Sequence, residues 1–191
     1  MTITVIYPAG TSVPTSMCQP GDFILVHGNR LIPRLIRIGQ WLDGYRGKKG
    51  GYGVFSHMAT IVDEDGNLLQ EGARGLGGGH VDDYERRDYV LVRIDATAAE
   101  RAAGVAWLWS RQAKGGYGFV SFVSMAVGIL IPPLRKIRVT VEGTMVCSVS
   151  GRRALEHTNE AQVALFDRMI PDVSPDWTMP ADVAYTYGVA L

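Results

Sequence analysis

The chain lacks the residue patterns typical of disulfide-rich, nucleic-acid-binding and metal-binding proteins. Two cysteines, Cys18 and Cys147, among 191 residues are too few for a disulfide framework, although a single bridge between them stays open. Basic and acidic residues number 19 each, so no basic excess points to a nucleic-acid partner. No His-Glu-x-x-His or paired Cys-x-x-Cys motif occurs, and neither a metal nor a cofactor is expected.

Apolar runs long enough to span a bilayer are also absent. Residues 119–131 are apolar except for two serines, but a transmembrane helix needs about 20 such residues. This length predicts a buried helix that ends at Pro132. Contact with a membrane surface is the alternative, because basic residues follow the run: Arg135, Lys136 and Arg138.

The first residues do not have the pattern of a secretory signal. Residues 1–8 contain no basic segment followed by a long apolar stretch, so no Sec signal peptide is expected. We therefore expect synthesis in the cytoplasm. Release from the cell would need another route, such as lysis or assembly into a particle.

The order of predicted elements indicates an α+β protein. Its length, without a linker or internal repeat, predicts one domain over residues 1–191. Residues 75–79 are rich in glycine and predict a flexible loop. Apolar runs bounded by Gly, Pro or Asp predict strands at residues 2–7, 23–27, 55–62, 68–73, 89–94 and 137–141. Apolar periodicity and capping residues predict helices at residues 31–42, at 97–114, from Cys147 onward, in a second stretch that ends at Met169, and at 180–184.

Cys147 is the candidate nucleophile of the chain. It follows a β-rich run and a Gly143-Thr144 turn, and it opens a predicted helix. The free N–H groups and the positive dipole end of a helix N-terminus favour a thiolate over a thiol. A catalytic thiolate also requires a base and a polar group that orients that base.

His57 is the preferred base among four histidines. His157 lies ten residues after Cys147 on the same predicted helix, about 15 Å away, and is excluded. His80 lies in a glycine-rich loop, and His27 ends a predicted strand. His57 begins a strand directly after a loop, a position where a rigid scaffold presents catalytic groups.

The group that orients His57 depends on the register of a predicted hairpin. Glu71 is the first candidate, and a turn of three residues would put it on the same face as His57. A turn of two residues would put Glu71 on the opposite face. Gln70 would then face the imidazole and serve as a neutral acceptor. Two further aspartates are substitutes for this role: Asp82 and Asp83.

Three ordered stretches together resemble the NlpC/P60 superfamily of papain-like cysteine hydrolases. They are Pro-Gly-Asp-Phe-Ile-Leu-Val at residues 20–26, Ser-His-Met-Ala-Thr-Ile-Val at 56–62 with Gln-Glu-Gly-Ala at 70–73, and Val-Cys-Ser at 146–148. Because the cysteine comes last, the order is similar to that of the circularly permuted, YiiX-like branch. Residues 179–183 also resemble the ending of that branch.

The resemblance covers about residues 20–183 in patches and implies a permuted papain-like fold. Such a fold has a small antiparallel or barrel-like sheet with the cysteine helix packed on it. By the same resemblance, Cys147 is the nucleophile, His57 the base and Glu71 the orienting polar group. The backbone N–H of Cys147 would contribute to an oxyanion hole. Tyr117 and Gln70 would line the cleft.

The implied function is that of a cysteine hydrolase that cleaves an amide bond through an acyl-enzyme. By family analogy, the expected substrate is a peptide, such as the stem peptide of peptidoglycan. A cell-wall hydrolase carried by a phage would fit the missing signal peptide. Two alternatives stay open. The first is a lipid ester or amide hydrolase, or acyltransferase, that contacts a membrane through residues 119–131. The second is a non-catalytic binding or structural module of a larger assembly.

Overall fold

A computed structural model describes residues 3–28, 31–40, 52–72, 75–112 and 147–191. Over these ranges the protein has the predicted α+β class, with an antiparallel sheet and five α-helices. The strands are β1 (Ile3–Tyr7), β2 (Phe23–Val26), β3 (His57–Ile61), β4 (Asn67–Gly72), β5 (Gly75–His80) and β6 (Tyr89–Arg93). The helices are α1 (Leu31–Gln40), α2 (Ala98–Gln112), α3 (Cys147–Thr158), α4 (Glu160–Met169) and α5 (Pro180–Thr186).

The six strands form one open antiparallel sheet in the order β1-β6-β2-β3-β4-β5. Each pair of neighbours runs antiparallel, which confirms the expected strand direction. The barrel-like arrangement was wrong, because β1 and β5 lie at opposite ends of the order and do not pair with each other. In the described ranges the sheet therefore stays open, and β3 lies near its middle.

Both faces of the central strands are buried, which explains why β2 is apolar at every position. Successive side chains of a strand point to opposite faces. Phe23 and Leu25 join Met58 in one core cluster with residues of α3, α4 and α5. Ile24 and Val26 belong to a second cluster on the other face. The sheet thus separates two cores, and the cysteine helix lies on the Met58 side.

A buried ion-pair cluster anchors the start of β2, so the Pro-Gly-Asp sequence has a structural role. Asp22 is fully buried, and its Oδ1 lies 2.5 Å from Arg101 Nη1 of α2. Its Oδ2 lies 3.2 Å from Nε of Arg93, the last residue of β6. Gly21 has a φ of +85°, a conformation that glycine adopts without strain. The cluster connects β2, β6 and α2.

The helix predictions are confirmed where the structure describes them. Helix α2 begins at Ala98 after a capping box: the Thr97 N–H donates to Glu100 Oε2 over 2.7 Å, and the Glu100 N–H donates to Thr97 Oγ1 over 3.3 Å. Helix α3 begins at Cys147, as the sequence predicts. The predicted terminal helix is α5.

The glycine-rich stretch is a strand, so the predicted flexible loop was wrong. Residues 75–80 form β5, which pairs with β4 from Gly72↔Gly75 to Asn67↔His80. Ladder hydrogen bonds to a neighbouring strand override the weak strand propensity of glycine. The absence of a side chain at Gly79 also leaves room for the Gln70 amide, as described below.

Within the described ranges, no helix is sufficiently long and apolar to cross a lipid bilayer. The elements predicted at residues 119–131 and 137–141 lie outside these ranges.

Candidate active site

Cys147 is the first residue of α3, and the packing of α3 on the sheet fixes its position. Gly151, one turn further along, lies directly against the Met58 side chain of β3. The hydroxyl of Ser148, the next residue in the chain, donates to the Thr178 carbonyl over 2.6 Å. Leu155 extends into the core cluster that contains Met58. The N-terminus of α3 is therefore held over β3 by contacts on several sides.

The thiol lies where β3 and β4 separate. The two strands pair at Thr60↔Leu69 and Ile61↔Leu68. Strand β3 begins earlier, at His57. Beyond the paired residues, the His57 ring lies close enough to the Cys147 thiol for charge and hydrogen bonding between them to shift the pKa of both groups. Hydrogen bonding from the backbone N–H of Met58 also lowers the pKa of the thiol. The end of the ladder thus exposes an imidazole and a backbone donor to the cysteine.

The charges of Cys147 and His57 stabilise each other. Burial alone would raise the pKa of the Cys147 thiol, but the nearby His57 charge and hydrogen bonds from His57, Met58 and Ser148 lower it below its ordinary value. Burial alone would lower the pKa of His57, but the Cys147 charge and hydrogen bonds with Cys147 and Gln70 raise it. Both directions favour a thiolate–imidazolium pair.

Gln70 is the residue that contacts the far side of the imidazole. Its Oε1 lies 2.8 Å from His57 Nε2. Because Nε2 is engaged there, Nδ1 is the ring nitrogen left for the thiol. A carbonyl oxygen at Nε2 requires a proton on that nitrogen, so Nδ1 is free to accept the thiol proton.

The hairpin turn explains why Gln70, and not Glu71, faces His57. The Val62 N–H donates to the Asn67 carbonyl over 2.8 Å, so the turn comprises residues 63–66. This even number, like the turn of two residues, keeps Glu71 on the face opposite His57. Of the two alternatives from the sequence, the structure therefore brings Gln70 to the ring.

Glu71 is buried on the Met58 face, where the His57 charge acts on its carboxyl group. The residue is 7% exposed, and among the described residues Oε2 has no hydrogen-bond partner. Burial raises the pKa of Glu71 to about 7, against a smaller lowering by the His57 charge. The expected hydrogen bond between Glu71 and the ring is replaced by this charge interaction.

Tyr84 belongs to the site although no local pattern in the sequence indicates it. Its hydroxyl donates to Gln70 Oε1, and its ring stacks on His57 with centroids 6.0 Å apart at 26°. Tyr84 ends the short 3-10 helix Val81–Tyr84 after β5. The contact depends on how β5 pairs with β4, which single-sequence patterns do not reveal.

The remaining histidines have other partners. His157 stacks on Trp107 with ring centroids 5.1 Å apart. His80 Nε2 lies 2.8 Å from the Asp65 carbonyl oxygen. His27 contacts the Arg37 guanidinium through Nε2. Of the four histidines, His57 is thus the one that lowers the pKa of the Cys147 thiol.

The other predicted site features give a mixed result. Cys18 is a buried free thiol, and Cys147 is also free, so the bridge between them does not form in this structure. Tyr117 lies outside the described residues. Among the residues that are described, no group of three His, Cys, Asp or Glu side chains is arranged to hold a metal ion.

No protein-family model matches the chain, and no curated protein matches its sequence significantly. Function is therefore inferred from the geometry of Cys147, His57 and Gln70.

Proposed function

We propose that the protein is a cysteine hydrolase that cleaves an amide bond through an acyl-enzyme. The supporting observation is one connected series of side chains. Gln70 Oε1 lies 2.8 Å from His57 Nε2, and His57 and Cys147 shift each other's pKa through charge and hydrogen bonding. The members of this series have the three roles that cysteine acyl transfer requires, namely nucleophile, base and orienting group. The position of Cys147 at the start of α3 adds a helix N-terminus beside the developing charge.

In the proposed first step, the thiol proton is held by His57 Nδ1, as in the resting pair, and the Cys147 thiolate attacks the amide carbonyl carbon. The raised pKa of His57 and the lowered pKa of Cys147 support this position of the proton. The carbonyl oxygen becomes an oxyanion, for which the backbone N–H of Cys147 at the helix N-terminus is the proposed donor.

In the second half of the reaction, the carbon–nitrogen bond breaks and the amine leaves with the proton from His57 Nδ1. The acyl group remains as a thioester on Cys147. Nδ1 then takes a proton from water, and the resulting hydroxide equivalent attacks the thioester. The acid is released, and the proton returns to the Cys147–His57 pair.

A peptide is the proposed substrate, and a peptidoglycan stem peptide is the specific candidate. Two features support it. The first is the resemblance of the Gly-Asp, His and Cys stretches to the permuted NlpC/P60 branch. The second is an open antiparallel sheet with the cysteine helix packed on it, which suits a permuted papain-like fold. The lipid alternative depends on residues 119–131, and no described contact favours it.

The direct test is hydrolysis of soluble peptidoglycan fragments and of a panel of unrelated peptides by the purified protein. We expect cleavage of an amide in the fragments and a Cys147-linked acyl adduct by intact-mass spectrometry after rapid acid quench. Cys147→Ala should abolish both. Cys18→Ala is the matched control, because Cys18 is a buried free cysteine outside the site, and it should retain both.

Undiminished cleavage by Cys147→Ala would refute the proposal. Failure to cleave any member of the panel, combined with a Cys147 that reacts only as fast as a free thiol, would favour a non-catalytic module.

A further inference from the structure

The Gln70 amide contacts a second side chain as well as the proposed base. Gln70 Oε1 accepts both from His57 Nε2, at 2.8 Å, and from the Tyr84 hydroxyl. The Tyr84 side chain is 4% exposed, and its ring stacks on the imidazole. Tyr84 therefore contacts both the base and the group that orients the base.

The orientation of the Gln70 amide decides which tautomer of His57 is stable. With the oxygen toward the ring, Nε2 carries the proton and Nδ1 can accept the thiol proton. With the NH₂ group toward the ring, Nε2 would have to be the acceptor and Nδ1 would carry the proton. A neutral ring in that second tautomer cannot act as a base toward Cys147.

Tyr84 discriminates between these two orientations. A neutral phenol has one hydrogen to donate, and burial raises the pKa of Tyr84 well above its ordinary range. Among the described residues, Gln70 Oε1 accepts that hydrogen. Rotation of the amide would put NH₂ in its place and leave a buried hydroxyl hydrogen without this acceptor, which is unfavourable.

We propose that Tyr84 is a positioning residue that holds the Gln70 amide oxygen toward His57 and thereby selects the catalytic tautomer of the ring. This role rests on the proposed function of the Cys147–His57 pair. Tyr84 takes no part in bond making or breaking. Its effect passes through Gln70.

The test measures the His57 tautomer directly and does not depend on activity. Protein labelled with ¹⁵N-histidine would carry Cys147→Ala, so that no thiolate charges the ring. Its ¹⁵N NMR spectrum would be recorded at a pH above the pKa of the imidazole. The parent should show a protonated Nε2 and a bare Nδ1 at His57. Tyr84→Phe, which keeps the ring and removes the hydroxyl, should give a mixture of tautomers.

Two further variants separate this role from a general loss of structure. Tyr187→Phe removes a comparable hydroxyl, which donates to Gln162 Oε1, and it should leave the His57 tautomer unchanged. Gln70→Glu has two equivalent oxygens and cannot present a donor. In that background, adding Tyr84→Phe should no longer change the tautomer.

With Cys147 intact, Tyr84→Phe should lower kcat about three- to tenfold, the size expected for one net hydrogen bond, with KM unchanged. An unchanged tautomer in Tyr84→Phe would overturn the proposal, as would an equal change in the Gln70→Glu background. A tautomer that responds as expected in a protein without hydrolase activity would support the role of Tyr84 and refute the proposed function alone.

Discussion

Gly151 of α3 lies so close to Met58 of β3 that a Cβ at Gly151 would come within 2.5 Å of Met58 Cε. Hydrogen bonding from the backbone N–H of the same Met58 lowers the pKa of the Cys147 thiol. A glycine one helical turn after the cysteine thus allows the helix to approach the strand that carries His57. We therefore expect the distance between Cys147 and His57 to depend on this contact.

Gly151→Ala should therefore separate Cys147 from His57 or displace the buried Met58 side chain. We expect a loss of about 1–3 kcal/mol in the free energy of unfolding, typical of an overpacked core, and slower alkylation of Cys147 at pH 6. Urea denaturation and alkylation rates measure the two effects. Adding Met58→Ala should restore the alkylation rate. Gly77→Ala is the control, because a Cβ there meets nothing within 4 Å. Equal unfolding free energies and equal alkylation rates for Gly151→Ala and Gly77→Ala would contradict this account.

Glu71 should make the protein less stable as the pH rises. Burial raises its pKa from an ordinary 4.5 to about 7, so the folded state holds a proton that the unfolded chain releases at lower pH. The free energy of unfolding should fall between these two pH values, by about 3 kcal/mol at most.

Glu71→Gln stays neutral at every pH and should escape this fall. Urea denaturation should find parent and variant similar at pH 4, and the variant more stable at pH 8. Glu64→Gln, at an exposed position, should follow the parent throughout. Parallel pH profiles for the parent and Glu71→Gln would show that the carboxyl is not buried as described.

Asp22 should contribute strongly to stability although it lies outside the proposed catalytic group. Asp22→Ala leaves the Arg101 guanidinium buried without the carboxylate 2.5 Å away. Loss of one partner of a buried pair costs about 3–5 kcal/mol. Chemical denaturation should show this loss, while Asp172→Ala at an exposed position should stay within about 0.5 kcal/mol of the parent. A similar small change for both variants would contradict a structural role for Asp22.

Local patterns in the sequence were sufficient to predict the elements that carry the reactive groups. Cys147 opens a helix and His57 opens a strand, and both features follow from the residues immediately around them. Helix α2 begins after its capping box for the same reason. These elements depend on contacts between residues close in the chain.

The parts that the sequence did not determine depend on register and on pairing at a distance. Whether Gln70 or Glu71 faces His57 depends on the size of the 63–66 turn. One added or missing residue would move every side chain of β4 to the opposite face of the sheet. Strand β5 forms because β4 supplies its ladder partners. Tyr84 reaches Gln70 only after that pairing. The positions of Gln70 and Tyr84 beside His57 could therefore be identified only from the structure.

The central claim is that Cys147 is a thiolate paired with His57, and alkylation by iodoacetamide between pH 5 and pH 9 tests it most directly. Cys18→Ala supplies a background in which Cys147 is the single thiol. In that background we expect Cys147 to react at pH 6 at least about tenfold faster than free cysteine, because its pKa is lowered. Adding His57→Ala should return the reaction to the titration of an ordinary thiol near pH 8.5. A parent that already titrates near pH 8.5, with no change in His57→Ala, would contradict the account.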